Sequence, residues 1–162
     1  KRNNSPHIEY KCMAIEDFDY IPESYDIVIS SLTFHYLELF PDICKKVHRC
    51  LTPGGTFVFS VEHPVFTAYG SQDWFYDKQR NILHWPVDRY FSEGKREAIF
   101  LGENVTKFHK TLTTYVNGLI QNGFEITGLV EPEPDKTLLD SIPGMRDELR
   151  RPMMLIIAAI KK

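Results

Sequence analysis

No stretch of this 162-residue chain is apolar for long enough to span a bilayer, and its start carries no signal-peptide pattern. No block of Lys and Arg stands out, and the formal net charge is −3. That balance argues against duplex nucleic acid or an anionic membrane surface as the main partner. Cysteine is scarce: Cys12, Cys44 and Cys50 are an odd set of three without the close, matched spacing of a metal site. Two of them fall on the apolar face of a predicted helix, which reads as buried, reduced thiols in a cytoplasmic protein. No glycine-rich strand-to-helix turn occurs before Tyr25. There is no initiator methionine either, the chain opening Lys1-Arg2-Asn3-Asn4. Internal repeats and low-complexity tracts are missing.

What is present is ordinary in bulk. Hydrophobic residues make up 43% and charged residues 25%, enough for one domain with a real core. The organising stretch runs from Tyr25 to Pro64. Ile27-Val28-Ile29 is apolar without alternation, which predicts a strand covered on both faces, as in a parallel sheet. Ser30 and Ser31 end it. Phe40, Ile43, Cys44, Val47, Cys50 and Leu51 follow the spacing of one helix face. Pro41 and Asp42 suit the first turn, and Pro53-Gly54-Gly55 stops the helix. Thr56 to Val61 is a second strand, ending at Glu62-His63-Pro64. The whole reads as a right-handed βαβ unit.

The order of residues here resembles the Rossmann-like, class I S-adenosylmethionine-dependent methyltransferases. The resemblance rests on Ser24-Tyr25-Asp26-Ile27-Val28, then Thr33-Phe34-His35-Tyr36, then Leu51-Thr52-Pro53-Gly54-Gly55-Thr56-Phe57-Val58. It implies an α/β fold whose sheet is ordered 3-2-1-4-5-7-6, of which this chain would supply strands 3, 4, 5, 6 and 7. Strands 1 and 2, with the glycine-rich cofactor turn, would be missing. The expectation is thus a carboxy-terminal portion of a longer protein: one partial domain over 1–162 that alone is inactive and binds cofactor weakly or not at all.

Several site residues follow from the resemblance. S-adenosyl-L-methionine is the implied cofactor. Ser31, Leu32 and His35 would lie beside its methionine moiety, on the turn leaving the carboxyl end of the sheet. Ile8 to Met13 would be the third strand, and Ala14, Ile15 and Glu16 would lie along the adenine. Ala14 stands where the family has an Asp, so the adenine amine would meet a backbone carbonyl or Glu16; equally, Glu16 and Asp17 can be solvated turn carboxylates.

Residues 64 to 108 hold both tryptophans, many other aromatics and interspersed turn formers. This stretch is too long for a plain connection. It reads as an insertion folded over the sheet's carboxyl edge, a lid that supplies the acceptor pocket and excludes water. Val87 to Phe91 and Arg96 to Leu101 are expected to pair as a hairpin around Ser92-Glu93-Gly94-Lys95. An aromatic lining suits a flat or apolar acceptor, although some of these rings must form the insertion's own small core. Leu112, Tyr115, Val116, Leu119 and Ile120 predict a helix capped by Asn122-Gly123. Phe124 to Val130 and Pro152 to Ile160 predict the last two strands, with a short helix near Met145 to Leu149.

Methyl transfer from a sulfonium is an in-line displacement with a neutral leaving group, so positioning carries much of the catalysis. Where the acceptor must lose a proton, His35, His63 and His109 are the candidate bases. Tyr69 is a weaker one. Each histidine can instead be a packed, hydrogen-bonded residue. Glu62 and His63, adjacent on a strand, face opposite ways and would neither pair nor hold a metal. The implied partner is a small-molecule acceptor rather than nucleic acid or membrane, with a dimer possible through an exposed sheet edge. Two other readings keep the same residues: a non-catalytic Rossmann-like interaction module, and another doubly wound transferase or dehydrogenase.

Overall fold

The computed structural model describes residues 6–162; of the polar start expected to lead into a strand, residues 1–5 lie outside the described residues. The βαβ unit is present. Strand β1 (Tyr25–Ser31) and strand β2 (Leu51–Glu62) pair in parallel, in register from Ile27↔Thr56 to Ser31↔Ser60, and helix α1 (Phe40–Cys50) connects them. The second strand starts earlier than its apolar run, at Leu51, because Tyr25 pairs with Leu51 before a bulge resets the register. Gly54 sits at φ +75°, a left-handed conformation that favours glycine. A Cβ on Gly55 would stand 2.8 Å from the Thr52 carbonyl oxygen and 3.2 Å from that of Asp26. Backbone passes too close there for any side chain, which explains the paired glycines.

After β2 come a short helix α2 (Pro64–Thr67), a ribbon of β3 (Phe75–Tyr76) and β4 (Ile82–His84), and a hairpin of β5 (Gly94–Phe100) and β6 (Glu103–His109). Helix α3 (Leu112–Gln121), strand β7 (Phe124–Val130), a 3-10 turn (Met145–Arg150) and strand β8 (Met154–Lys161) complete the chain. The main sheet is ordered β1-β2-β8-β7, with β8 antiparallel to both neighbours. Strands β1, β2 and β7 therefore all point their carboxyl ends to one edge, where β8 begins.

Helices α1 and α3 cover one face of this sheet. Phe57, Phe59 and Val61 on β2, with Leu155, Ile157 and Ala159 on β8, are fully buried beneath them. Phe34, Phe40, Phe57, Phe59 and Tyr115 meet ring to ring at centroid separations of 4.9 to 6.2 Å. The alternate residues Thr56, Val58 and Ser60 are only half-buried.

Three expectations are corrected. Ile8 to Met13 forms no strand: it runs as exposed, irregular chain with no sheet neighbour, so its β propensity has nothing to pair with. β1 is not covered on both faces: Ile27 is 60% and Ile29 73% exposed, because no helix lies over the second face and β1 is an edge strand. The hairpin is displaced towards the carboxyl end. Its turn is Leu101-Gly102, both at positive φ (53° and 87°), as the tight primed turns demand, and residues 87–91 are not a strand. Glu93 is taken up elsewhere, accepting from the Thr111 backbone N–H (2.7 Å) and the hydroxyls of Thr111 and Thr114 (both 2.6 Å) at the start of α3. Burial opposes its charge, but these bonds outweigh that and hold its carboxyl below the usual range.

Candidate active site

Ligands of open α/β sheets sit outside the carboxyl ends of the strands. At that edge β1 ends in Ser31, and the next residue, Leu32, is held at φ +52°. A branched side chain there is strained. The strain is held by pairing: the Leu32 N–H donates to the Ser60 carbonyl at 2.9 Å, with Ser60 Oγ at 3.2 Å. The 3-10 turn Phe34–Tyr36 follows. Lys110, buried at the start of α3, donates to the carbonyls of Phe34 (3.3 Å), Phe108 (3.1 Å) and Leu37. Burial pulls its ammonium down to about 8, so it is charged at neutral pH and serves three carbonyls at once. This lysine fixes the turn that carries His35 and Tyr36.

His35 is 2% exposed. Its Nδ1 accepts the Glu62 backbone N–H at 3.2 Å, so the ring proton sits on Nε2. Burial is the main force on this ring. Lys107 and Lys110 add to it, Glu62 opposes them, and the pKa falls to about 4. His35 is thus neutral and set to donate rather than accept. His63 caps α2 by accepting the Val65 N–H at 3.0 Å through Nδ1. Its buried Nε2 lies 2.8 Å from Glu131 Oε1. His109 has both nitrogens engaged, Nδ1 with the Thr67 hydroxyl and Nε2 with the Tyr90 carbonyl, each at 2.8 Å. Burial lowers the pKa of both rings. The three histidines do not converge on one point of contact: each is tied to a different partner set. Tyr69, 41% exposed, contributes only its carbonyl, to the Gln72 N–H at 3.3 Å.

The residues expected along the cofactor separate as well. Ile15 and Ser31 line one groove of about 400 Å³, which runs along the open flank of β1 and also takes in Thr33 and Phe34. Glu16 lies in a different depression beside Leu37 and Lys46, and its carbonyl accepts the Lys46 ammonium at 3.2 Å. Ala14 is exposed, and its carbonyl accepts the Asp17 N–H at 3.1 Å.

The sequence reading missed a buried polar triad at the exit of β2. Lys107 on β6 donates to Glu62 Oε1 at 2.6 Å and to Gln72 Oε1 at 2.7 Å, and Gln72 Nε2 donates to Glu62 Oε2 at 2.8 Å. Lys107 is 2% exposed, and its ammonium lies 5.9 Å from the centre of the Tyr36 ring and 5.4 Å from that of Phe100. Gln72 is held at φ +50° to reach both partners. The triad ties residues 64–109 to the sheet edge. A weak signal existed: alternation along β6 puts Lys107 on the same inward face as His109. Tyr36 is 37% exposed, and its hydroxyl has no hydrogen bond among the described residues.

Further along the same edge, Arg151 is enclosed by the rings of Trp85 (4.2 Å), Phe66 (4.7 Å) and Trp74 (5.0 Å) and paired with Glu148 at 2.8 and 3.2 Å. Trp74 and Glu148 also wall a cavity of about 630 Å³ between the β3–β4 ribbon and the segment leading into β8. Phe66, Trp74 and Trp85 therefore build a cluster of their own around Arg151, and Trp74 is the aromatic that lines this cavity. Among the described residues no group of three or more His, Cys, Asp or Glu could hold a metal ion, and no helix is long and apolar enough to cross a membrane.

Comparison with known proteins matches residues 1–59 to the methyltransferase domain family. An S-adenosylmethionine-dependent methyltransferase structure assigned in Listeria monocytogenes is 54% identical, superposes with a TM-score of 0.92, and is matched over 98% of this chain and 71% of its own. The Mesorhizobium loti S-adenosylmethionine-dependent methyltransferase is 36% identical with a TM-score of 0.84, over 94% of this chain and 69% of its own. An uncharacterized Haemophilus influenzae protein is 32% identical over 155 residues, which are 92% of this chain. The chain spans 59% of the length of that curated relative.

Proposed function

This chain belongs to the S-adenosylmethionine-dependent methyltransferases, and on that premise we propose that the protein it forms transfers a methyl group from S-adenosylmethionine to a small-molecule acceptor. The observation that carries the reading is the strained Leu32, locked to Ser60 at the carboxyl edge of two parallel strands. Strain of this kind persists where a site needs it. Ser31 and Leu32 border the methionine moiety in this reading, and Ile15 lies further along the same flank. Residues 64–108 form the lid, latched by Glu62, Gln72 and Lys107. His35 acts as a hydrogen-bond donor through Nε2. His63 and His109, each spent on structural partners, leave the reaction to positioning and exclusion of water. The unpaired edge of β1, with Ile27 and Ile29 exposed, supports association through that edge.

The test is calorimetric titration of S-adenosylhomocysteine into the full-length native protein. Binding is expected, and Leu32→Gly should weaken it about tenfold, the value of one apolar side chain against a ligand. A protein that is folded yet takes no S-adenosylhomocysteine would overturn the reading and leave the interaction-module alternative.

A further inference from the structure

A cavity of about 630 Å³ lies at the carboxyl edge of the sheet, and neither the groove along β1 nor the three histidines line it. Its floor is the start of β8: Met154 pairs with Glu62 in the sheet, and the Met153 carbonyl accepts the His63 N–H at 2.8 Å. It thus opens one strand away from the end of β2. Its volume falls in the range of small-molecule sites. Trp74 forms an aromatic wall, and Met145, Met153 and Met154 supply polarisable thioethers that adapt to a ring.

Charge decides what kind of ring. The lining carries Glu133, Asp147 and Glu148 and no basic side chain. Arg150 and Arg151 neutralise the last two from outside the lining, at 3.0 and 2.8 Å, and Glu133 has no ion pair among the described residues. The same corner already accepts planar cations: the guanidiniums of Arg150 and Arg151 lie 5.2 and 5.0 Å from the Trp74 ring. We propose that this cavity is the acceptor pocket and that it takes a planar, largely apolar molecule bearing a positive charge or a basic nitrogen. As the acceptor pocket it rests on the methyl-transfer reading; as a site for planar cations it does not.

The test uses proflavine, a planar aromatic cation, and 8-anilinonaphthalene-1-sulfonate, an aromatic anion, as fluorescent probes of the full-length protein. Saturable proflavine binding is expected, with much weaker binding of the sulfonate. Leu138→Trp, which fills the cavity from a 39% exposed loop position, should abolish it. Glu133→Gln, on an exposed carboxylate, should weaken it about threefold. Thermal melting establishes that both variants are folded. Proflavine binding that survives Leu138→Trp, an equal or stronger sulfonate, or no saturable proflavine binding would each overturn the inference. S-adenosylhomocysteine titrated into the same sample separates the two claims. S-adenosylhomocysteine binding without proflavine sinks only the cavity assignment, whereas proflavine binding without S-adenosylhomocysteine leaves a planar-cation site on a protein for which the methyl-transfer reading fails.

Discussion

Between α1, α3 and β2 the contacts are ring against ring: Phe34, Phe40, Phe57, Phe59 and Tyr115 exclude water, with the Cys44 thiol pushed up to about 12 by burial alongside them. At the exit of β2 the contacts are polar. Glu62, Gln72 and Lys107 close a triangle, His109 bridges Thr67 and Tyr90, and Arg96 donates to the carbonyls of Ala68, Arg89, Ser92 and Lys95. The first region is non-directional and tolerates small shifts. The second is directional, and each member fixes the place of its partners. Contacts of the second kind hold residues 64–109 at one position against the sheet edge.

Four perturbations separate the two regions. Phe59→Ala should cost roughly 3–5 kcal/mol, as a large cavity in a dry core does, and lower the whole melting transition. Lys107→Met should cost roughly 3–5 kcal/mol by leaving Glu62 charged and alone, and Glu62→Gln with Lys107→Met should recover most of it. If the double variant melts no higher than Lys107→Met alone, the triad is not what ties residues 64–109 to the sheet edge. Acid should act on the polar region first. His35 is held neutral, with its folded pKa near 4 against about 6.5 unfolded, so its contribution is complete above pH 6.5 and is lost as pH falls towards 4. That loss is on the order of 3 kcal/mol, and His63 and His109, shifted the same way, steepen it. A pH series of denaturant midpoints on the wild type and His35→Gln should show a shallower acid limb in the variant. The smallest effect is expected from Glu93→Gln, about 1 kcal/mol, the usual value of a helix cap. Amide exchange at the first turn of α3 would report it.

Regular elements were legible in the sequence because their signals are local. The helix face from Phe40 to Cys50, the strand Phe124 to Val130 and the helix from Leu112 all follow from spacing and turn chemistry within a few residues, whereas the helix ends at Cys50, ahead of the expected stop at Pro53-Gly54-Gly55, which lies within β2. The hairpin was misplaced because two turn signals competed, and Glu93 was needed at α3 rather than in a turn. Ile8 to Met13 read as a strand on propensity and on the family's strand order, and found no neighbour. Of the proposed site, Leu32 and His35 were singled out through the motif around them. Glu62, Gln72 and Lys107 were not: they stand up to 45 residues apart in sequence and have no fixed spacing.

The sequence by itself determined the βαβ unit, the methyltransferase resemblance and the edge at which a ligand would sit, since periodicity and glycine placement act over short distances. Only the tertiary structure decided which face of the sheet is covered, what each histidine is tied to, and where a cavity remains. Those depend on which distant side chains meet, and a buried charge is tolerable only where its partner arrives from another part of the chain.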